Sequence, residues 1–150
     1  MRYYMRNWSY SILLSICLMT PLFSAEPDPL KPFRWDYRII LVSAPADLVK
    51  DRIAELSKTK SAIEKRQILW FVLGGESIAT NYTEPLPQSF DSDVVKRYFE
   101  NSSKAQVRLI GKDGVVKEKA SALDLKKFFA RIDAMPMRRA EMRKVEKQGK

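Results

Sequence analysis

The chain has 150 residues, enough for one ordinary domain with its own core, and a net charge of +9. It contains no histidine and a single cysteine, Cys17, so every histidine-dependent mechanism is excluded. Without the segment that holds Cys17 the chain has no thiol, which excludes thiol redox chemistry as well. The excess of basic residues favours anionic partners such as phospholipid headgroups, envelope polymers or an acidic protein.

The first 25 residues have the three-part pattern of a signal peptide. Arg2 and Arg6 give a positive start, an apolar run follows over Ile12–Met19, and Ala25 offers a cleavage point. The run is shorter than the ~20 residues that cross a bilayer, and an uncleaved anchor or a lipid on Cys17 are the alternatives. We expect a periplasmic or secreted protein, cleaved near Ala25, with 25 basic and 18 acidic residues and a net charge of +7.

The first half of the mature chain predicts a strand–helix–strand unit after an extended leader. The leader carries three prolines, the strands are continuous apolar runs, and the helix shows apolar residues at helical spacing. The predicted elements are the leader at 26–32, a strand at 37–42, a helix at 49–56, a short helical turn at 61–64, and a strand at 68–73 that ends at Gly74-Gly75.

The second half predicts a loop, a helix, a hairpin, a last main helix and a charged tail. The Asp113-Gly114 pair between two strand-like runs is a strong hairpin signal, and Ser121 is predicted to cap the last helix. Pro136 is predicted to end or kink that helix. The predicted elements are a loop at 76–89, a helix from 91 or 92 to 99, strands at 106–110 and 115–119, a helix reaching 135, and a basic helical tail at 137–150.

The order is therefore strand, helix, strand, helix, strand, strand, helix. The first unit needs a right-handed crossover and so a parallel strand pair, whereas the hairpin strands are antiparallel. Helices must cover both faces of so apolar a sheet. We therefore predict an α/β thioredoxin-like domain over residues 33–136, with a four-stranded mixed sheet in three α/β/α layers.

Three segments carry a family resemblance: FRW with RIILVSAP near residue 33, LIGKDGVVK at 109–117, and RIDAMPMRRAEM at 131–142. They resemble a family of bacterial exported domains of unknown function over about Phe33 to Met142. The resemblance implies a thioredoxin-like fold and a similarity to domains of vertebrate extracellular matrix proteins that carry sushi repeats or a coiled coil. It implies no catalytic residue.

Two positions depart from working thioredoxins and peroxiredoxins. The attacking cysteine of those proteins follows the first strand, where this chain has Ser43-Ala44-Pro45. Their cis-proline precedes the third strand, where this chain has Ser103-Lys104-Ala105. Serine needs an adjacent base to react, so we expect Ser43 to cap a helix and the protein to be neither a thiol oxidoreductase nor a peroxidase.

Three further features could be read as binding sites, and each has a structural interpretation. Asp91, Asp93 and Glu100 lack the spacing of a calcium loop, so we predict no metal and no cofactor. Gly74-Gly75 lacks the continuation of a phosphate-binding loop and predicts a turn. The alternation of Phe33, Trp35 and Tyr37 predicts packing at the start of the sheet.

The basic tail is the candidate binding segment. Its anion- or partner-binding candidates are Arg138, Arg139, Arg143 and Lys144, and the alternative for all four is a solvated helix end. The expected partner is an unknown protein or an anionic envelope component, including peripheral contact with a membrane. Nucleic acid is not expected, because no recognition motif is present. The oligomeric state stays open.

The leading hypothesis is a non-catalytic, non-redox exported binding or structural module with a basic surface. The alternative is a hydrolase-type enzyme using carboxylate, lysine or serine groups at the loop 76–89. A carboxylate of strongly raised pKa in a pocket at that loop would favour the enzyme. A chaperone-like role through an exposed sheet edge or aromatic residues is the third hypothesis.

Overall fold

A computed structural model of the chain describes residues 27–75, 77–99 and 106–149. The predicted signal peptide lies outside these residues. The strands are β1 Arg38–Ser43, β2 Ile68–Leu73, β3 Ala79–Thr80, β4 Gln106–Ile110 and β5 Val116–Ala120. The helices are α1 Val49–Lys58, α2 Lys60–Lys65, α3 Phe90–Tyr98, α4 Leu125–Asp133 and α5 Pro136–Gln148, with short 3-10 helices at Lys31–Phe33 and Ala46–Leu48.

The strands form one mixed five-stranded sheet in the order β3-β2-β1-β4-β5. β1 pairs in parallel with β2, and the pairs β1–β4, β2–β3 and β4–β5 are antiparallel. The expected parallel first pair and antiparallel hairpin are confirmed. The expected number of four strands is wrong, because β3 lies in the segment predicted to be a loop. Two residues are too few to give a strand pattern in sequence.

The edge of β2 is completed by a side chain. β3 pairs only with Phe71 and Val72, so the backbone groups of β2 before them need other partners. The side chain of Asn81 accepts a hydrogen bond from the Trp70 amide at 2.8 Å and donates one to the Ile68 carbonyl at 3.0 Å. Asn81 thereby closes this edge where a third strand residue would stand.

Both faces of the central strands are buried because the first two strands are continuous apolar runs. Alternate residues such as Ile40 and Trp70 pack with buried residues of α1, α2 and α4 on one face. Their neighbours Ile39 and Phe71 pack with α3 on the other face. Helices therefore cover both faces of the sheet.

The segment predicted to be an extended leader is partly folded. Leu30 is buried, and Lys31–Phe33 form a 3-10 helix whose Phe33 ring packs 5.6 Å from the Phe71 ring. Asp28 accepts hydrogen bonds from the Leu30 amide at 3.0 Å and the Tyr98 hydroxyl at 2.9 Å. Two apolar residues among the prolines provide the burial that holds this segment. The domain boundaries at 33 and 136 stay predictions.

The last two helices begin at different caps from the one expected. Asp124 caps α4, because its side chain accepts a hydrogen bond from the Lys127 amide at 2.9 Å, so the assignment of Ser121 was wrong. α5 has Pro136 in its first turn, where a missing N–H costs nothing. None of the helices in the described ranges has the length and apolar character needed to span a bilayer.

Candidate functional site

The end of the sheet at Ser43, the last residue of β1, is closed by tight backbone packing. Ser43 is the last residue of β1 and pairs with Leu73 and Gln106. It caps no helix: Pro45 and Leu48 occupy the cap positions, with no side-chain bond. Gly74 has φ +113°, and a Cβ there would overlap the carbonyl oxygen of Ala44. The Gly74 turn therefore brings two backbones together, as expected for a strand-ending turn.

The opposite end of β1 begins with a buried cation. Arg38 is 1% exposed although it is charged, which requires partners inside the protein. Its Nη1 donates to the Arg66 carbonyl at 2.9 Å, and its Nη2 donates to Glu141 Oε1 at 3.2 Å. Its Nε is buried and has no hydrogen-bond partner. One donor of this guanidinium is therefore unsatisfied.

Lys112 adds a second buried cation beside Arg38. It is 8% exposed and its Nζ lies 2.9 Å from Glu141 Oε1 and 2.6 Å from Gln67 Oε1. Burial would raise the pKa of Glu141, but the hydrogen bonds and charges of Arg38 and Lys112 outweigh burial and hold the pKa below its usual value of 4.5. Glu141 is therefore a carboxylate shared by two buried cations.

A second set of ion pairs joins α4 and α5 to the same end of the sheet, and together with the contacts of Glu141 it forms what we name the ion-pair network. Arg66 Nη2 lies 2.6 Å from Asp133 Oδ2 and its Nε 3.1 Å from Asp133 Oδ1, a two-pronged contact. Arg138 Nε is 3.4 Å from Asp133 Oδ1, and Arg138 Nη1 is 3.6 Å from Glu141 Oε2. Burial raises the pKa of Asp133, and Arg66 and Arg138 more than reverse this, so the pKa lies below 3.8.

A cavity of about 410 Å³ opens beside these groups, and we name it the basic cavity. Its charged lining holds four cations and one carboxylate, Asp113, which already pairs with Lys117 at 2.5 Å. The remaining walls are mainly apolar. The lining residues are Arg38, Gly111, Lys112, Asp113, Lys117, Arg131, Ala134, Met135, Pro136 and Met137. The lining therefore carries more cations than carboxylates, a balance that favours anions over cations.

Backbone strain gathers beside Lys112. Trp35 (φ 72°) and Gln67 (φ 51°) are the non-glycine residues with positive φ in the described part of the chain. The Trp35 amide donates to the Lys112 carbonyl at 2.7 Å, and the Gln67 side chain accepts from Lys112 Nζ. Strained residues persist where the surrounding structure fixes them, commonly at functional sites. The expected packing of Trp35 was wrong, since its side chain is 65% exposed.

The four tail residues predicted from sequence are not brought together. Arg138 and Glu141 lie three residues apart on the face of α5 that contacts the ion-pair network. Arg139 and Arg143 lie four apart on another face and are exposed, as is Lys144. The structure therefore places Arg138 inside the network and leaves the other three cations on the solvent side of the helix.

Sequence reasoning missed the two central residues of the basic cavity. Arg38 carried a usable signal, because a charged residue opened an otherwise apolar strand. Lys112 gave none, since it belongs to a turn sequence that the hairpin fully explains. The three segments that carry the family resemblance contain every lining residue of the cavity.

The loop 76–89 contributes to a larger cavity. Residues 81–84 line a space of about 910 Å³ beside the β2 edge, together with Tyr37 and Trp70. Asp91, just beyond the loop, has one buried oxygen without a partner, and burial raises the pKa of its carboxyl. Asp91 does not line this cavity. In residues 27–75, 77–99 and 106–149, no group of three or more potential His, Cys, Asp or Glu ligands could hold a metal ion.

Comparison with known proteins places the chain in a family. Residues 29–141 match the family described as a domain of unknown function, DUF4174, and this span contains all the residues of the basic cavity. No curated protein and no solved structure matches the chain. The match covers well over half of the chain and agrees with the family of unknown function expected from its sequence segments. The chain therefore belongs to the DUF4174 family of domains of unknown function.

Proposed function

We propose that the chain is an exported, non-catalytic module of thioredoxin-like fold that binds an anionic group in the basic cavity. The observation that carries this proposal is Arg38, a fully buried cation with an unsatisfied Nε, on the wall of a cavity lined by three more cations. Burying a charge is costly, so a site that retains several cations around an open space is suited to an anion that completes their pairing.

The thioredoxin-like part of the proposal is supported by strand order and direction. A parallel pair, β2 and β1, continues into the antiparallel strands β4 and β5, with helices on both faces. The non-redox part rests on composition, since Cys17 is the sole cysteine. A sample cleaved near Ala25 that reduced insulin or consumed peroxide would contradict it. Similarity to vertebrate matrix domains remains a hypothesis from the sequence segments.

Export remains a proposal from the sequence pattern of residues 1–25. The expected result is a mature N-terminus close to Glu26 on protein isolated from its native envelope, read by N-terminal sequencing. Protein recovered with Met1 still present would count against a cleaved signal peptide.

The exposed cations of α5 have a secondary role in the proposal. Arg139, Arg143 and Lys144 are solvated and face away from the network, so they raise the local concentration of an anionic partner through long-range attraction. Such attraction is screened within about 8–10 Å at physiological salt. The specific contact is therefore assigned to the basic cavity, and the partner is an acidic protein or an anionic envelope component.

Binding of small anions to the full chain tests the proposal. Calorimetric titration with sulfate, phosphate and hexanoate is expected to give saturable one-site binding of at least one probe. Arg131→Gln, which removes an exposed cation from the cavity wall, should weaken that binding by about tenfold, the worth of one charge-assisted hydrogen bond.

The matched control is Arg139→Gln, which removes the same charge from the solvent side of α5. It is expected to change the affinity by less than about twofold, because the lost attraction is long-range and screened. If the two variants weakened anion binding equally, the effect would come from the net charge of the protein, and a binding site in the cavity would be contradicted. If none of the three probes bound saturably, the proposed function itself would be contradicted.

A further inference from the structure

We infer that Glu141 is an internal ligand of two cations on the wall of the basic cavity, Arg38 and Lys112, and that an external carboxylate entering the cavity displaces it and frees α5 from the domain. This inference rests on the proposed function, because it names the ligand class and the regulation of the same site. The observation behind it is that Arg38 and Lys112, the two most buried cations of the cavity, both bind the carboxylate of one helix residue.

The geometry at Glu141 is that of a bound carboxylate. Oε1 accepts from Lys112 Nζ at 2.9 Å and from Arg38 Nη2 at 3.2 Å. Oε2 lies 3.2 Å from the same Arg38 nitrogen and makes no hydrogen bond, although it is buried. Both carboxylate oxygens of Glu141 thus face a single nitrogen of the Arg38 guanidinium. Arg66, by contrast, contacts the two oxygens of Asp133 through two different nitrogens. A free carboxylate can improve on the Glu141 contact.

α5 is fastened by charge and has little else to hold it. None of its residues is buried, whereas α4 buries Leu125, Phe128 and Ile132. The contacts of α5 with the body that carry charge are those of Glu141 and Arg138. Elements with few buried apolar contacts open at the lowest free energy. Loss of the Glu141 contact therefore leaves α5 with one ion-pair anchor.

The displacement conserves charge at the buried site. One carboxylate leaves Arg38 and Lys112 and another arrives, so neither cation is left unpaired in the final state. The cavity wall that does not belong to α5 includes Ala134 and Met135, which suit a short apolar body behind the carboxylate. The ligand class is therefore a carboxylate on a small apolar chain, either a free organic acid or an acidic side chain of a peptide.

The experiment uses the full chain, the probe hexanoate, and its neutral isostere hexanamide. Glu141→Gln removes the internal competitor, and we expect it to bind hexanoate about tenfold tighter than the unchanged chain, within the usual range of coupling between sites. Glu146→Gln removes the same charge from an exposed position of α5 and should leave the affinity within about twofold. Hexanamide should not bind. A capped peptide with one glutamate, compared with its glutamine analogue, distinguishes a peptide ligand from a free acid.

Hydrogen exchange on the unchanged chain gives a second readout that does not depend on the stability of a variant. Saturating hexanoate should increase exchange of α5 amides while leaving those of β1 and β2 protected. Binding of hexanoate with equal affinity to the unchanged chain and Glu141→Gln, and with α5 exchange unchanged, would overturn this inference while sustaining the proposed function. Absence of binding of every anion to both proteins would overturn the two together.

Discussion

The two ends of β1 present opposite solutions to the same problem, which is how a buried strand finishes. At the Ser43 end the chain turns through Gly74 with its backbone against Ala44, leaving no space for a side chain. At the Arg38 end the strand opens onto cations, a shared carboxylate and a cavity. One end of β1 is therefore closed by backbone packing, and the other carries charged side chains beside an open cavity.

The two ends of β1 are stabilised by different forces. The Ser43 end is fixed by sterics and backbone hydrogen bonds, which neither salt nor pH changes. The Arg38 end is fixed by ion pairs, whose strength depends on both salt concentration and pH. Variants at the two ends should therefore differ in the size of their effect and in how that effect responds to conditions.

The largest expected effect is at the Ser43 end. Gly74→Ala places a Cβ into the Ala44 carbonyl at a φ of +113°, and should lower the free energy of unfolding by about 3 kcal/mol. Gly75→Ala is the control, because its Cβ would meet its nearest atom at 3.5 Å, and should cost about 0.5 kcal/mol or less. Urea denaturation measures both. Equal losses would show that this turn is not sterically fixed.

The next effect is at the Arg38 end. Glu141→Gln leaves Arg38 and Lys112 without their shared charge, and because Glu141 is 25% exposed the expected loss is about 2 kcal/mol, below that of a fully buried pair. Glu146→Gln on the same helix should change stability by less than about 0.5 kcal/mol. If urea denaturation found the two variants alike, the ion-pair network would contribute nothing to stability.

A pH series sharpens the distinction between the ends. The pKa of Glu141 lies below 4.5 and that of Asp133 below 3.8 in the folded chain, so their pairing stabilises the fold above these values. The contribution is lost as the pH falls through the lowered pKa values. The stability gap between the unchanged chain and Glu141→Gln should therefore shrink in acid, whereas the gap for Gly74→Ala should stay constant. A Glu141→Gln gap independent of pH would contradict the assigned carboxylate pairing.

The smallest effects separate neighbouring arginines of α5. Arg138→Gln breaks the contacts with Asp133 and Glu141 and should cost about 1 kcal/mol in low salt, as expected for a partly exposed ion pair. Arg139→Gln should cost less than about 0.5 kcal/mol. The difference should diminish in 1 M salt, where screening shortens to about 3 Å. Thermal denaturation in the two buffers measures this difference. A larger loss for Arg139→Gln than for Arg138→Gln would contradict the assignment of the α5 face that contacts the body.

Much of the fold was predictable because apolar periodicity is a local signal. The runs at β1 and β2 and the Asp113-Gly114 turn gave the correct pairing of four strands. β3 was not predicted because its two residues form a strand only by pairing with β2. The cap of α4 was assigned to Ser121 and not to Asp124 because both residue types favour caps. The first case was decided by pairing with β2, and the second by the local geometry of the helix start.

The site was less predictable than the fold. Clustered basic residues predicted a binding segment in the tail, and in the structure one of them, Arg138, takes part in an internal ion pair. Arg38, Lys112 and Glu141 are far apart in sequence, so their convergence depends on the tertiary fold alone. A sequence gives the charge of each residue and says little about which charges share a carboxylate.

The exposed, left-handed Trp35 has one further consequence. Its indole is 65% exposed and its amide holds Lys112, whereas Trp70 is 7% exposed in the core. Emission from the two rings should differ in wavelength, because one is hydrated and the other is in an apolar setting. The folded domain therefore carries two built-in fluorophores, one that reports on rearrangement around Lys112 and one that reports on the packing of the sheet and the cavity beside β2.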